Sequence, residues 1–449
     1  MITRGKQFSV LGAGRSGIAV ARLLKKRRAK VFLSDSASVA SMKETAKELE
    51  EIGVEYEFGG NTHRVLEADV IVVSPGVPLD SPIIKLAHER KMKVIGEIEL
   101  AYEFCEAPIV AVSGTNGKTT TTTLIGEIFK AAGWNTAVAG NIGVPFADVV
   151  DSAKGEKSVV ALEVSSFQLD TIDTFRPKVS ILLNITPDHL DRYPNFEAYV
   201  QSKFRIAENQ KGHDVFIYNH DDDILRSFAE TVSVRTLGFS LTTELRMGAF
   251  LREGEVILRS GREREALIRP EEIGILGPHN LMNAMASALA ARAMGVEYDA
   301  IRTALKSFKG VEHRIEFVRE RNGIQYYNDS KATNVDSLFY ALGSFAQPIV
   351  LIAGGKDKGN DYTRVEALVQ EHVRAIVTVG KGAKKIESFF AGKKPILSAG
   401  FSMEEAVKLA TEAAREGDVV LLSPACASFD MFDNYEHRGK VFKELVNKL

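Results

Sequence analysis

An α/β protein of three domains is the fold the sequence predicts, and three observations predict it. Short apolar runs alternate with helical pattern along nearly the whole chain, as parallel sheets require. Glycine-rich turns close several of those runs where a helix is due to begin. The chain's 449 residues exceed one ordinary core at roughly 150 residues per domain. A composition 45% hydrophobic and 26% charged is that of a soluble globular protein, and a formal net charge of −2 provides no whole-molecule attraction for nucleic acid or an anionic membrane. An anionic substrate must therefore be handled locally. Cys105 and Cys426 are the only cysteines, too few for a disulfide framework or a cysteine metal cluster. Both are expected as free thiols, which suits a reducing cytoplasm. No apolar run approaches the ~18 residues that cross a bilayer, and no signal core is expected at the N-terminus.

The first domain is placed at residues 1–96. Strands at Phe8–Leu11, Lys30–Leu33, Val70–Val73 and Lys93–Ile95, with a helix from Ser16 to about Lys26, make a parallel layer. Gly12-Ala-Gly-Arg-Ser-Gly17 follows its first strand and Asp35 ends its second, matching the dinucleotide fingerprint in loop and acidic partner. Taken alone that points to NAD. The same geometry suits any nucleotide, because glycines admit a pyrophosphate to a helix start and an acid reads a sugar hydroxyl or a base N–H. Ser74-Pro-Gly76 closes another strand and is either a wall of the same crevice or a simple turn.

The second domain, 97–310, carries Gly114-Thr-Asn-Gly-Lys-Thr119 between the strand Pro108–Val112 and a helix. Two glycines let backbone amides turn inward, Lys118 neutralises phosphate and the Thr119 hydroxyl suits Mg²⁺. The common phosphate-loop spacing would place a glycine where Val112 stands, so this is a variant form. Strand 158–163 ends in Glu163, where a Mg²⁺ ligand belongs beside a phosphate loop. Strand 179–184 leads to Asp188, His189 and Arg192 at the same sheet edge. In the helix starting near Asn195, Lys203 lies on the apolar stripe Phe196, Tyr199, Val200, Phe204 and Ala207. Snorkelling at the stripe's edge is the bland explanation. The alternative is a desolvated, chemically modifiable amine facing the metal site. Residues 246–269 alternate in short runs around Glu253-Gly254 and predict a small antiparallel sheet.

The third domain, 311–449, starts at His313-Arg314 and carries three candidate binding loops after strands: Asn328–Asn334, Gly354–Gly359 with two lysines, and Ser423–Asp430.

Together these motifs resemble the Mur ligases and their relatives the folylpolyglutamate synthetases: the phosphate loop, Asn-x-x-x-Asp-His-Leu-Asp-Arg at 184–192, His313-Arg314 and Asp-Ser-Lys-Ala-Thr-Asn at 329–334. The chain's two ends are similar to the branch that adds D-glutamate, although Tyr435 stands where that branch carries Phe. The resemblance implies Rossmann-like first and third domains around a central ATPase, and a substrate UDP-N-acetylmuramoyl-L-alanine in place of NAD. It implies that Arg15, Ser16, Asp35, Ser36, Ser74, Gly76, Asn141, Ser165 and Gln168 hold that substrate. ATP falls to Gly114, Thr115, Asn116, Gly117, Lys118, Thr119, Thr120, Asn283, Arg314 and Asp329. Two Mg²⁺ ions fall to Thr119, Glu163, His189 and a carbamylated Lys203, and D-glutamate to Lys331, Thr333, Lys358, Ser428 and Phe429. Lys118, Glu163, His189 and Lys203 form the catalytic set. A cytoplasmic monomer is expected, closing by linkers near residues 96 and 310. The rivals are a family member with another acceptor, an NAD-dependent oxidoreductase, and a non-catalytic nucleotide switch.

Overall fold

The computed structural model describes residues 5–141, 143–188, 192–261, 263–357 and 359–449. His189 and Lys358 lie outside the described residues. The chain divides into two compact units, Met1–Arg269 with Asn283–Leu305, and Pro270–Met282 with Lys306–Leu449.

The first unit contains two sheets. One is built from β1 (Gln7–Leu11), β2 (Lys30–Asp35), β3 (Glu55–Phe58), β4 (Val70–Val73) and β5 (Lys93–Gly96), in the order β3-β2-β1-β4-β5 and parallel throughout. The strand order reverses between β1 and β4, so the loops after these two strands part and leave a crevice at the sheet's carboxyl edge. β1, β2 and β4 are largely apolar runs because helices cover both faces; Val10, Leu33 and Val72 face one buried cluster, Leu11, Ile71 and Val73 the other.

The second sheet takes β6 (Ile109–Ser113), β7 (Asn135–Gly140), β8 (Ser158–Glu163), β9 (Val179–Leu182), β10 (Val215–Asn219) and β11 (Arg235–Ser240), followed by β12 (Met247–Arg252), β13 (Glu255–Ser260) and β14 (Glu263–Ile268). Their order is β14-β13-β12-β11-β10-β9-β6-β8-β7. The antiparallel hairpins of β12, β13 and β14 are present as the alternation predicts. They are not a separate small sheet, however, because β12 pairs in parallel with β11 and extends the central one. The seam depends on Gly248: with φ +140°, it lies so close to β11 that a Cβ would meet the Gly238 carbonyl oxygen at 1.9 Å. The order reverses between β6 and β9, which again marks a crevice.

Two carboxylates tie these sheets together. Glu97 and Glu99 sit on the short helix Glu97–Tyr102 just after β5, and both are buried. Glu99 accepts the backbone N–H groups of Asp173, Thr174 and Phe175 at 2.9 Å each, and the Thr174 hydroxyl. Glu97 accepts the Ala147 N–H at 2.8 Å, while its Oε2 is buried with no partner among the described residues. Burial pushes the Glu97 carboxyl up to about 7 from 4.5, against the pull of the Ala147 and Phe146 N–H groups. The folded chain therefore holds this proton more tightly than the unfolded chain does. The resulting stability is complete below pH 4.5 and is lost as pH rises through about 7. Glu97→Gln should remove the dependence, so that by about pH 8 the variant gains roughly 3 kcal/mol relative to its position near pH 4. Denaturant midpoints across that range check this, and a difference independent of pH would exclude it.

The second unit holds β15 (Glu316–Arg321), β16 (Ile324–Asn328), β17 (Ile349–Gly354), β18 (Val373–Val379), β19 (Ile396–Ser398) and β20 (Val419–Leu422), ordered β15-β16-β20-β17-β18-β19. All pair in parallel except β15 with β16. The loops after β16, β20 and β17 therefore emerge side by side.

Candidate active site

In the first unit, the crevice between β1 and β4 opens into a cavity of about 630 Å³. Gly12 and Gly17 explain how the loop after β1 turns into a helix. Gly12 has φ +94°, and a Cβ on Gly17 would meet the Gly12 carbonyl oxygen at 1.8 Å. Asp35 accepts the Ala13 N–H at 2.6 Å through one oxygen and the Ala37 N–H at 2.7 Å through the other. The Ser74 hydroxyl donates to the Gly12 carbonyl at 3.1 Å, joining the two loops across the crevice. Of the residues expected to hold the UDP substrate, Arg15, Ser16, Asp35, Ser36, Ser74, Gly76, Asn141 and Gln168 line this cavity. Ser165 does not, but its backbone N–H and hydroxyl both bond Gln168 Oε1, at 2.9 and 3.0 Å, in a capping box. Asn61 and Ser81 line it too and were missed. Asn61 lies just past β3, whose Glu-Tyr-Glu-Phe carries no apolar run to announce a strand.

At the β6–β9 crevice the phosphate loop is fastened to the segment after β9. Thr115 N donates to the Asn184 carbonyl at 3.0 Å, Asn116 N to Asn184 Oδ1 at 2.8 Å, and Asn184 Nδ2 back to the Asn116 carbonyl at 3.1 Å. Gly114 and Gly117 have φ of +144° and +85°. A Cβ on Gly117 would come within 2.5 Å of Asn283 Oδ1, so this glycine lets the loop close on that asparagine. The helix Lys118–Ala131 begins at the loop's end and offers its unpaired N–H groups there. Lys118 Nζ curls over the loop, 2.8 Å from the carbonyls of Gly114 and Thr115. Thr119 and Thr120 are buried in the first turn.

Glu163 ends β8 in parallel register with Val112 of β6. Its Oε1 accepts from Asn141 Nδ2 at 3.0 Å, while Oε2 is buried with no partner among the described residues. An ionised oxygen without a donor is costly unless a cation completes it, and carboxylate and hydroxyl oxygens are the donors Mg²⁺ takes. Glu163 and Thr119 therefore fit a divalent cation.

Lys203 is not a snorkelling side chain. It is 2% exposed, and its amine donates to the Gly114 carbonyl at 2.9 Å and lies 4.7 Å above the Tyr199 ring. The stripe thus faces inward at this residue instead of grading into solvent. Burial, followed by the charge of Lys118, drives its pKa well below the ordinary lysine value, against Asp188, Asp170 and Glu163. Tyr199 also braces the phosphate loop, with its hydroxyl 3.0 Å from Thr115 Oγ1.

The second unit gathers the expected glutamate loops. Asp329 is buried after β16, accepting the Ser423 hydroxyl at 2.8 Å and the Ile315 N–H at 3.3 Å. Burial pushes its carboxyl up to about 6, against nearby Arg314. The loops after β17 and β20 bridge through Lys356 and Ala427, N–H to carbonyl both ways at 2.8 and 3.2 Å. Lys331 reaches to 5.6 Å from the Tyr435 ring, Ser428 is buried and Phe429 is exposed. Sequence reasoning missed Arg438, which is 2% exposed and donates to Ser330 Oγ, the Ser330 carbonyl and the Cys426 carbonyl at 2.9, 2.7 and 3.0 Å. It also missed His279, whose imidazole burial and Arg314 push down to about 3. Thr333 follows Lys331 in the same loop.

Three family models match the chain: a Mur ligase MurD-like N-terminal domain over residues 6–96, the Mur ligase middle domain over 112–291, and a Mur ligase glutamate ligase domain over 313–426. A curated relative from Salinibacter ruber, a UDP-N-acetylmuramoylalanine--D-glutamate ligase, is 50% identical, with 99% of this chain and 98% of its own covered. Another of that name, from Thermoanaerobacter sp. (strain X514), is 46% identical with both chains fully covered. Among solved structures, a pseudomurein peptide ligase type C from Methanothermus fervidus superposes with a TM-score of 0.62 at 19% identity, over 99% of this chain and 100% of that one. The described residues include no helix long and apolar enough to cross a membrane.

Proposed function

The chain belongs to the Mur ligase family, and from that premise we propose that it is the ATP-dependent ligase that adds D-glutamate to UDP-N-acetylmuramoyl-L-alanine in peptidoglycan precursor synthesis. Full-length identity of 44–50% to relatives bearing that activity's name carries the reading. The cavity between the loops after β1 and β4 supports the nucleotide half, with the glycine fingerprint holding UDP in place of NAD.

The alanyl carboxylate of the substrate attacks the γ-phosphorus of ATP, the β–γ oxygen bond breaks, and ADP leaves an acyl phosphate. The free-base amine of D-glutamate then attacks the acyl carbon, the acyl carbon–oxygen bond to phosphate breaks, and the nitrogen gives up one proton as inorganic phosphate departs, leaving an amide. Activation is required because a carboxylate is a poor acyl donor. Lys118 and the N–H groups of the phosphate loop stabilise charge as it moves among phosphate oxygens. Glu163, Thr119 and a carbamate on Lys203, with His189, would hold Mg²⁺, which when bound supplies further neutralisation of phosphate oxygens. Burial lowers the pKa of the Lys203 amine and so favours its free base, the form that is nucleophilic toward carbon dioxide. Asn141 and Gln168 orient the muramoyl-alanine arm, and Asn283, Arg314 and Asp329 the nucleotide. Lys331, Thr333, Lys358, Ser428 and Phe429 surround D-glutamate. The three domains are assigned to 1–96, 97–310 and 311–449, and the protein works as a cytoplasmic monomer.

The deciding experiment measures phosphate release and product mass with ATP, Mg²⁺ and UDP-N-acetylmuramoyl-L-alanine, comparing D-glutamate, L-glutamate, L-lysine and meso-diaminopimelate. Release with a one-glutamate mass gain from D-glutamate alone is expected. Turnover with another acceptor would move the chain to a different member of the family.

A further inference from the structure

The cavity-lining residue Asn61 belongs to a hydrogen-bond cluster whose protons can be counted. Ser34, fully buried on β2, places its Oγ 2.7 Å from Glu57 Oε1, 2.7 Å from Asn61 Oδ1 and 3.3 Å from the Gly60 carbonyl. A hydroxyl has a single proton, yet all three neighbours as placed are acceptors. Glu57 has the stronger claim, because a hydrogen bond to an ionised carboxylate is about twice as strong as one to a neutral oxygen. Glu57 is itself held firmly: Thr62 donates to it through N–H at 2.8 Å and hydroxyl at 2.7 Å. Burial opposes its charge, but the bonds from Thr62 and Ser34 and the nearness of Arg64 keep its pKa below the ordinary value.

With the Ser34 proton committed to Glu57, an Asn61 oxygen 2.7 Å from Ser34 Oγ would face another oxygen with no hydrogen between them. Glu57 and the Gly60 carbonyl cannot donate. The Asn61 amide can. Half a turn about its terminal bond sets NH₂ against Ser34 and costs only the exchange of two atoms of nearly equal size. The carbonyl then becomes the amide atom left to the cavity that Asn61 lines. This end of the cavity also carries Asp35 and Ser36, and Asn61 is held beside them: Gly59 N donates to the Ala37 carbonyl at 2.8 Å and Gly60 N to the Asp35 carbonyl at 3.4 Å.

We propose that Asn61 is a specificity residue for the base of the nucleotide, fixed by Ser34 and Glu57 with its carbonyl toward the cavity, where it accepts the N3–H of uracil. Cytosine has an unprotonated N3 at that position and would meet the carbonyl oxygen against nitrogen, so the cluster rejects it. The inference rests on the reading of this cavity as the uridine nucleotide site.

Free UDP and CDP test it in two ways: as inhibitors of D-glutamate addition, and titrated calorimetrically against the full-length protein alone. The wild-type protein is expected to bind UDP at least about tenfold more tightly than CDP. Asn61→Ala should narrow that ratio to within about threefold. Glu57→Ala should narrow it as well, although Glu57 does not line the cavity, because Ser34 loses its carboxylate acceptor, can donate to the Asn61 oxygen, and leaves the amide free to turn; the KM for D-glutamate should not follow. Full preference for UDP in Asn61→Ala, or none in the wild-type protein, would overturn the inference. If calorimetry shows the discrimination and its loss while no D-glutamate is added, the inference stands and the assigned reaction fails.

Discussion

Lys118→Ala is expected to abolish phosphoryl transfer, with phosphate release falling by about 10³-fold or more. The lysine begins the helix after the phosphate loop, and its ammonium lies over the loop within 2.8 Å of two carbonyls. There it would meet whatever anion the loop encloses. A phosphoryl group in transfer spreads negative charge over its oxygens, and a cation fixed in advance stabilises that charge without reorganisation at the moment of reaction. The substitution should leave the apparent Kd for UDP unchanged, since Lys118 is not among the residues that line the nucleotide cavity between the loops after β1 and β4. Single-turnover phosphate release alongside a UDP titration separates the two. Turnover within about tenfold of wild type would remove Lys118 from the chemistry.

Lys203→Ala should be nearly as damaging, with an expected loss of about 10³-fold. A structural lysine and a carbamate carrier predict different sequels. A carbamate supplies a carboxylate-like group at the end of a long side chain, so short carboxylic acids or bicarbonate diffusing into the space left by alanine should restore part of the activity. A lysine that merely held the Gly114 carbonyl would gain nothing from an added anion. The amine should also need carbon dioxide in the wild-type protein, so exhaustive removal of bicarbonate should lower its rate. Near-normal activity of Lys203→Ala would eliminate the carrier role.

The parallel layers were legible because their strands are uninterrupted apolar runs, and because glycines and a lysine at strand ends leave few alternatives. β8 has the bounds its pattern indicates, ending on Glu163. Strands that are half-exposed were not legible: β3, with two glutamates in four residues, and β15, Glu-Phe-Val-Arg-Glu-Arg, look like loop until a neighbour pairs with them. Lys203 illustrates a subtler limit. Helical spacing put it on the apolar stripe, but depth is set by what packs above the stripe, here the phosphate loop, which no local window contains. The same holds for Glu97, Glu99 and Arg438, whose partners lie tens of residues away. Charged residues read as surface until their donors or acceptors are found.

β14 is the outermost strand of the central sheet, and one of its backbone edges has no strand beside it among the described residues. Such an edge is a template for another chain, and in a crowded cell it invites association. The strand opens with Glu263-Arg264-Glu265, of which Glu263 and Arg264 are exposed. An identical strand docking there in parallel register would set Glu263, Arg264 and Glu265 each against its own charge, and in full antiparallel register would set Glu263 against Ile268 and Arg264 against Leu267, both unfavourable. The hairpins that lengthen the sheet thus also end it in a form that disfavours pairing with its own copies.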